Sequence, residues 1–215
     1  MRKPISRLFT CVYYVLGGVV RLLYPVRVEG LEELPQSKVL LCPNHTSNWD
    51  PILIALHLPV DYRLHTMAKE ELFRNSILDW ALRKMGGFPV NRGTSDIQAV
   101  KTAIQSIKDG DNLMIFPEGT VIRNGVGRLD GLPPKAKSGV AVIGVRTGAT
   151  IIPVFVEELK LFRRTRIIFG KPYEPVYSGR HGTAEEMHNI AEGILETAYA
   201  LGSQTVGGKR LCQGE

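Results

Sequence analysis

The chain is short of several things, and each shortage removes a class of protein. It has three cysteines, Cys11, Cys42 and Cys212, an odd number at unrelated spacings. A disulfide scaffold or a paired-cysteine zinc site is therefore excluded, and a reducing compartment is expected. The longest uncharged stretch, Leu8 to Val20, is 13 residues, against the roughly 18 to 20 that a membrane span needs. The five histidines form no H-x-x-x-H or H-E-x-x-H pair, the spacings that put metal ligands on one helix face. No zinc spacing or aromatic platform accompanies the basic charge, so nucleic acid is not an expected partner. Neither an internal repeat nor a linker divides the chain.

What remains is a sequence of 215 residues, 44% hydrophobic and 22% charged, enough for a core of its own. Lys and Arg number 27 against 21 Asp and Glu, a net charge of +6. That excess suits an anionic membrane surface or an acidic acyl carrier.

The most informative run is Pro43-Asn44-His45-Thr46-Ser47-Asn48-Trp49-Asp50-Pro51. A histidine held by a carboxylate is a general base. Without the nucleophile block of a hydrolase beside it, such a base points to a hydroxyl that arrives on a substrate, the logic of acyl transfer to an alcohol. Five residues at about 100° each would separate the two side chains on one helix, so His45 is expected in a turn between an apolar strand, Val39 to Cys42, and a helix. Asp50-Pro51 reads as that helix's N-cap and first position.

Three further segments are strands ending in polar or turn residues: Gly86 to Gly93, which delivers Arg92; Asn112 to Thr120, which delivers Glu118; and Ala149 to Val156. They alternate with helical patterns, as in an α/β domain, where ligands gather at the carboxyl ends of strands. His45, Asp50, Arg92 and Glu118 can thus converge on one sheet edge.

In these four blocks, Asn44-His45 to Asp50, Gly86-Gly87-Phe88 to Arg92, Phe116 to Thr120 and Ile152-Pro153-Val154, the chain resembles the glycerolipid acyltransferase family, specifically the bacterial 1-acyl-glycerol-3-phosphate acyltransferases. The resemblance implies that His45 is a base oriented by Asp50. It also implies that Arg92 and Glu118, with Gly119, Thr120, Arg123 and Lys137, hold the glycerol-phosphate acceptor, Lys137 and Gly139 preceding the late block. One departure concerns the residue after Phe116 to Thr120: family members usually carry arginine there, where this chain has Val121, with Arg123 two residues on.

A thioester donor is already activated, so a base that deprotonates the acceptor hydroxyl suffices and no acyl-enzyme is needed. The oxyanion would be met by backbone amides around Asn44 to Ser47 or Gly119 to Thr120. No metal is expected, and no cofactor beyond the co-substrate, acyl-CoA or acyl carrier protein. The expected reaction moves a fatty acyl group to the sn-2 hydroxyl of 1-acyl-glycerol-3-phosphate (lysophosphatidic acid), forming phosphatidic acid.

The first residues support a lipid substrate independently. At about 100° per residue, Lys3, Arg7, Thr10, Tyr14, Gly17 and Arg21 share one arc, while Ile5, Leu8, Phe9, Val12, Val15, Leu16, Val19, Leu22 and Leu23 fill the other side. A helix lying in the membrane interface fits this pattern, at the cytoplasmic face of the cell membrane; the rival reading is a helix packed on the protein's own core. Residues 1–25 are thus read as an amphipathic membrane-interface helix, 26–202 as the acyltransferase domain and 203–215 as a flexible tail. The domain is expected to be α/β, with a mixed, largely parallel central sheet flanked by helices.

Other helices are expected over Ser95 to Lys108, with Ile97, Val100, Ile104 and Ile107 facing the core; over Ala136 to Thr147, whose small Gly139, Ala141 and Gly144 permit close packing; and after a Thr183 to Glu186 capping box. Leu159 to Gly170 reads as a strand with a basic face. Two other functional classes share some of these features. A metal-dependent ester or phosphoester hydrolase would draw on Cys42, His45, Asp50 and Glu118, for which one histidine is thin. A non-catalytic membrane-surface protein would leave those residues without a purpose, and a different lysolipid acceptor is a variant of the main reading.

Overall fold

Short apolar strands alternating with helices need cover on both faces, and a parallel sheet supplies the arrangement. The computed structural model describes residues 7–91, 96–124, 126–127 and 134–203. Within these the chain runs α1 (Arg7–Leu23), β1 (Val26–Glu29), β2 (Val39–Pro43), α2 (Asp50–His57), β3 (Leu64–Lys69), α3 (Ser76–Lys84), β4 (Gly87–Val90), α4 (Ile97–Lys108) and β5 (Asn112–Met114). It continues through a small hairpin, β6 (Ile122–Arg123) and β7 (Val126–Gly127), to α5 (Gly139–Thr147), β8 (Thr150–Val156), β9 (Thr165–Phe169) and α6 (Ala184–Ser203).

Seven strands form one sheet in the order β1-β9-β8-β2-β5-β3-β4. Every neighbouring pair is parallel except β8 with β9. This is the mixed, largely parallel sheet expected. Central β2 is buried along its whole length and feeds two cores by alternation. Leu40 and Cys42 join Ala103, Ile107, Val140 and Ile194 on the face covered by α4, α5 and α6, while Val39 and Leu41 join Leu53 and Ile54 of α2 on the other.

Glycine is required at the junction of α3 and β4. Gly86 has φ 81°, and a Cβ there would run into the Leu64 carbonyl of the adjacent strand. Gly144 allows α5 to close on the sheet, its hydrogen facing the Ile151 and Leu40 side chains, whereas Gly139 has open space around it and serves no close contact.

Several expectations shift. Asp50 is not the N-cap of α2: it is the helix's first residue, Trp49 is the cap, and the Asp50 carboxylate faces back into the preceding turn. Helix α5 begins at Gly139 rather than Ala136, Lys137 being held from Pro117 instead. Ile97 is 67% exposed because it opens α4 beyond the core edge, and Ala99 and Ala103 take the buried stripe with Ile107. Only Thr165–Phe169 of the Leu159 to Gly170 segment is strand, since Phe162 turns the chain through φ 55°, and of the basic residues Arg166 alone lies on it. Strands β1 and β3 were not anticipated. The expected tail, residues 204–215, and the start of the first helix, including Lys3 and Ile5, lie outside the described residues.

Helix α1 docks through Tyr13, Gly17 and Arg21, along one edge of its polar arc, Tyr14 of that arc staying 57% exposed. Gly17 is buried with Leu56 beside it, the Arg21 guanidinium donates to the Leu56 carbonyl, and the Tyr13 hydroxyl lies 2.6 and 2.7 Å from the Ala55 and Leu58 carbonyls. The Ala55 carbonyl already accepts from the Leu58 N–H at 3.3 Å, so it is the Leu56 and Leu58 carbonyls at and just past the end of α2 that polar groups on α1 supply with a donor. Val15, Val19 and Leu22 are left 70, 51 and 77% exposed. These three side chains of the apolar arc therefore point out, while Val20 and Tyr24 pack against the core on the α2 side. Among the described residues no helix is long and apolar enough to cross a membrane.

Candidate active site

The site forms where β2 and its neighbour β5 end. Asn44, the residue after β2, donates through its amide to the Val156 carbonyl (3.0 Å) and accepts from the Val156 N–H (2.7 Å), which pins the turn to the end of β8. His45 follows. Its Nδ1 lies 3.0 Å from Asp50 Oδ2, with only 5% of the His45 side chain and none of the Asp50 side chain accessible. The same Asp50 oxygen accepts from the Thr46 and Ser47 N–H groups at 2.7 and 2.8 Å, and Oδ1 accepts from the Thr46 hydroxyl at 3.3 Å. An Asp50 oxygen that accepts from two N–H groups meets Nδ1 as an acceptor too, so Nδ1 carries the proton toward it and Nε2 keeps the lone pair of a base. The Phe116 ring packs against the imidazole with centroids 4.0 Å apart, so the segment that delivers Glu118 also fixes the plane of the base.

Glu118 is 3% exposed. Its Oε1 accepts from the Tyr199 hydroxyl at 2.8 Å, and among the described residues its Oε2 has no partner. Burial drives the carboxyl up to about 7; the Tyr199 hydroxyl and nearby backbone N–H groups pull it back, and the Asp50 charge adds a smaller upward push. Burial, reinforced by Glu118, also raises the Tyr199 phenol, which therefore remains a donor. Tyr199 was missed in the sequence. Its one signal is its place on the apolar stripe of α6, four residues beyond buried Leu195, where a tyrosine needs a polar partner for its hydroxyl.

Gly119 has φ 67°, a conformation that lets the chain turn away directly after Glu118, and the Lys137 stem lies against it. Thr120 is buried at 7% and Lys137 is exposed. Val121 is buried in place of the arginine that the resemblance leads one to expect. Arg123 reaches the site by another route: with Thr46, Ile122, Asn124, Pro134, Glu158 and Tyr199 it lines a cavity of about 330 Å³. Thr46 and Tyr199 belong to both the cavity and the two carboxylates' hydrogen bonds. Arg92 lies outside the described residues.

Of the two hydroxyls in the turn after the base, that of Thr46 is committed as a donor. Thr46 donates to Asp50, and the Ser47 oxygen accepts from the Trp49 N–H at 3.3 Å. The Thr46 and Ser47 amides serve Asp50, that of Asn44 serves Val154, and that of Gly119 serves Phe116. Of the six amides considered for an oxyanion, those four are spent within the protein and the His45 N–H is turned toward the Glu118 carboxyl, which leaves Thr120. Cys42, considered for a metal site, packs in the core with its thiol directed at the Leu40 carbonyl, and burial pushes that thiol far up.

Comparison with known proteins agrees with this arrangement. The Acyltransferase family model matches residues 25–157, more than half of the chain. Over 183 residues the chain is 29% identical to a 1-acyl-sn-glycerol-3-phosphate acyltransferase of Bacillus subtilis, covering 82% of this chain and 87% of that one. A protein of the same name from Streptococcus pneumoniae is 31% identical over 149 residues, 66% of this chain and 52% of its own length, so the chain spans about half of that relative. The crystal structure of the 1-acyl-sn-glycerophosphate (LPA) acyltransferase of Thermotoga maritima shares the fold, with a TM-score of 0.64 at 22% identity over 96% of this chain and 86% of that one.

Proposed function

The chain belongs to the Acyltransferase family, and from that premise we propose that it transfers a fatty acyl group from acyl-CoA or acyl carrier protein to the sn-2 hydroxyl of 1-acyl-glycerol-3-phosphate, giving phosphatidic acid for phospholipid synthesis. The observation that carries the reading is the buried His45–Asp50 pair, 3.0 Å apart, in which Nδ1 faces Asp50 and Nε2 is left for a substrate. That nitrogen is the base offered to an acceptor hydroxyl.

In this reading Nε2 of His45 removes the proton of the acceptor hydroxyl as its oxygen attacks the thioester carbonyl, while Asp50 steadies the imidazolium that forms. The thiolate then leaves and takes the proton back from the imidazole, so His45 returns to its starting state. The Thr120 N–H meets the oxygen of the tetrahedral intermediate. Glu118, with one oxygen unbonded, receives a glycerol hydroxyl. Arg123 and Arg92 bind the acceptor phosphate through planar forks that can grip two oxygens, and Lys137 adds charge. The exposed apolar side of α1 rests in the membrane interface at the cytoplasmic face, where the lysolipid resides.

The test incubates the purified full chain with labelled acyl-CoA and acyl carrier protein, crossed against a panel of lysolipids, with and without chelator. Phosphatidic acid formed from 1-acyl-glycerol-3-phosphate in both chelator arms is the expected result. Ester hydrolysis without transfer, or complete loss on chelation, would favour the metal-dependent hydrolase instead.

A further inference from the structure

A second cavity, about 450 Å³ in volume, is lined by Arg21, Pro25, Val26, Arg27, His57 and Arg164. Four of these six carry or can acquire positive charge and none is acidic. They converge from the end of α1, the start of β1, the end of α2 and the turn before β9. Arg21 gives one N–H to the Leu56 carbonyl and Arg27 Nε meets Glu29 at 3.0 Å, so each guanidinium keeps further donors. Among the described residues Arg164 has no carboxylate partner. His57 Nδ1 donates to the Leu53 carbonyl at 2.8 Å; burial, and then the Arg21 charge, hold its imidazole below the usual value. Three guanidinium groups around one space, with Glu29 the single carboxylate paired to any of them, form a region that an anion would stabilise.

Location narrows the anion. Val26 pairs with Thr165 and Ile167 with Val156, and Val156 holds Asn44, so the cavity shares the sheet edge of the His45 turn. It stands three strand spacings from β2, roughly 14 Å along that edge. Leu22, Leu161 and Phe162 flank it, 77, 53 and 69% exposed, the Phe162 N–H donating to the Leu23 carbonyl at 2.9 Å. Basic groups with exposed apolar side chains beside them in the chain, Leu22 next to Arg21 and Leu161 and Phe162 just before Arg164, match a phosphate with acyl chains beneath it. We propose that this cavity binds a phosphate oxyanion, on a lipid headgroup or free in solution, at a site separate from the acceptor's.

The test reads binding rather than turnover, so it stands apart from the acyl-transfer reading. The full chain, an Arg27→Gln/Arg164→Gln variant and a Lys101→Gln/Lys108→Gln control on α4 are each sedimented with phosphatidylcholine vesicles containing about one fifth phosphatidic acid, after their unfolding midpoints are compared. The arginine variant is expected to lose about tenfold or more in vesicle affinity, from about 1 kcal/mol per basic side chain at the surface, and the equally charged control much less. Inorganic phosphate titrated against the His57 ring resonances separates the sources: a shift abolished by the arginine substitutions means that free phosphate is taken, and vesicle loss without a shift assigns the site to lipid. Equal vesicle losses in the two variants together with silent His57 resonances would overturn the proposal.

Discussion

At the His45 ring the chemistry turns on which nitrogen holds the proton, and that is decided by Asp50. Asp50→Asn keeps the shape but removes the charge that stabilises an imidazolium, so kcat is expected to fall by roughly 10² or more, with about 1 to 2 kcal/mol of stability lost from weakened bonds to the Thr46 and Ser47 amides. Steady-state kinetics and urea unfolding check the two parts. Tyr199→Phe removes the one side-chain donor that lowers the Glu118 carboxyl, which would then ionise at higher pH. If ionised Glu118 binds the acceptor, the acidic limb of the kcat/KM profile, near pH 7 for the native chain, moves upward in the variant. An unmoved limb would remove Glu118 from acceptor binding. His45, Asp50 and Glu118 were legible in the sequence because short spacing and strand ends announce them. Tyr199 was not, because its partner lies 81 residues away and only helix packing brings them together.

Among the elements, α1 shows what periodicity can and cannot say. The polar and apolar arcs were readable, but which side meets the protein depends on the Leu56 and Leu58 carbonyls at the end of α2, groups with no trace in side-chain hydropathy. Val15→Glu/Val19→Glu is expected to leave the thermal unfolding midpoint nearly unchanged, since both side chains are already exposed. Sedimentation with vesicles should fall about tenfold or more, from burying two charges in the interface. A fall in stability with intact vesicle binding would mean the face packs on protein. The capping box of α6 was legible and is present in both directions between Thr183 and Glu186; Thr183→Ala should cost about 1 kcal/mol in urea unfolding. Strand β1 escaped because the alternation of Val26-Arg27-Val28-Glu29 lasts only four residues, and β3 because a run as mixed as Leu64–Lys69 shows no period-two pattern.

For the whole molecule, alternation of strands and helices was enough to give the class, and the strand order was not, because order depends on long-range pairing such as β2 between β8 and β5. That order puts the ends of β2 and β5 together and so joins His45 to Glu118. The buried carboxyl also leaves a mark on global stability. Glu118 ionises near 7 when folded, against its ordinary 4.5, so below about 4.5 it is protonated in both states and has no differential effect. Between 4.5 and 7 the folded state alone keeps the proton, and stability falls as pH rises, by on the order of 3 kcal/mol once both states are ionised. Urea midpoints across that window should decline for the native chain and flatten for Glu118→Gln; matching slopes would mean that the carboxyl is not held neutral.

The account rests on a proton passing from a lysolipid hydroxyl to His45. The most direct measurement is single-turnover transfer of a labelled acyl group from thioester to 1-acyl-glycerol-3-phosphate by the native chain and by a His45→Ala variant shown to be folded and vesicle-bound. Loss of roughly 10³-fold in the transfer step with binding intact is the predicted result, and a variant that transfers at the native rate would contradict it.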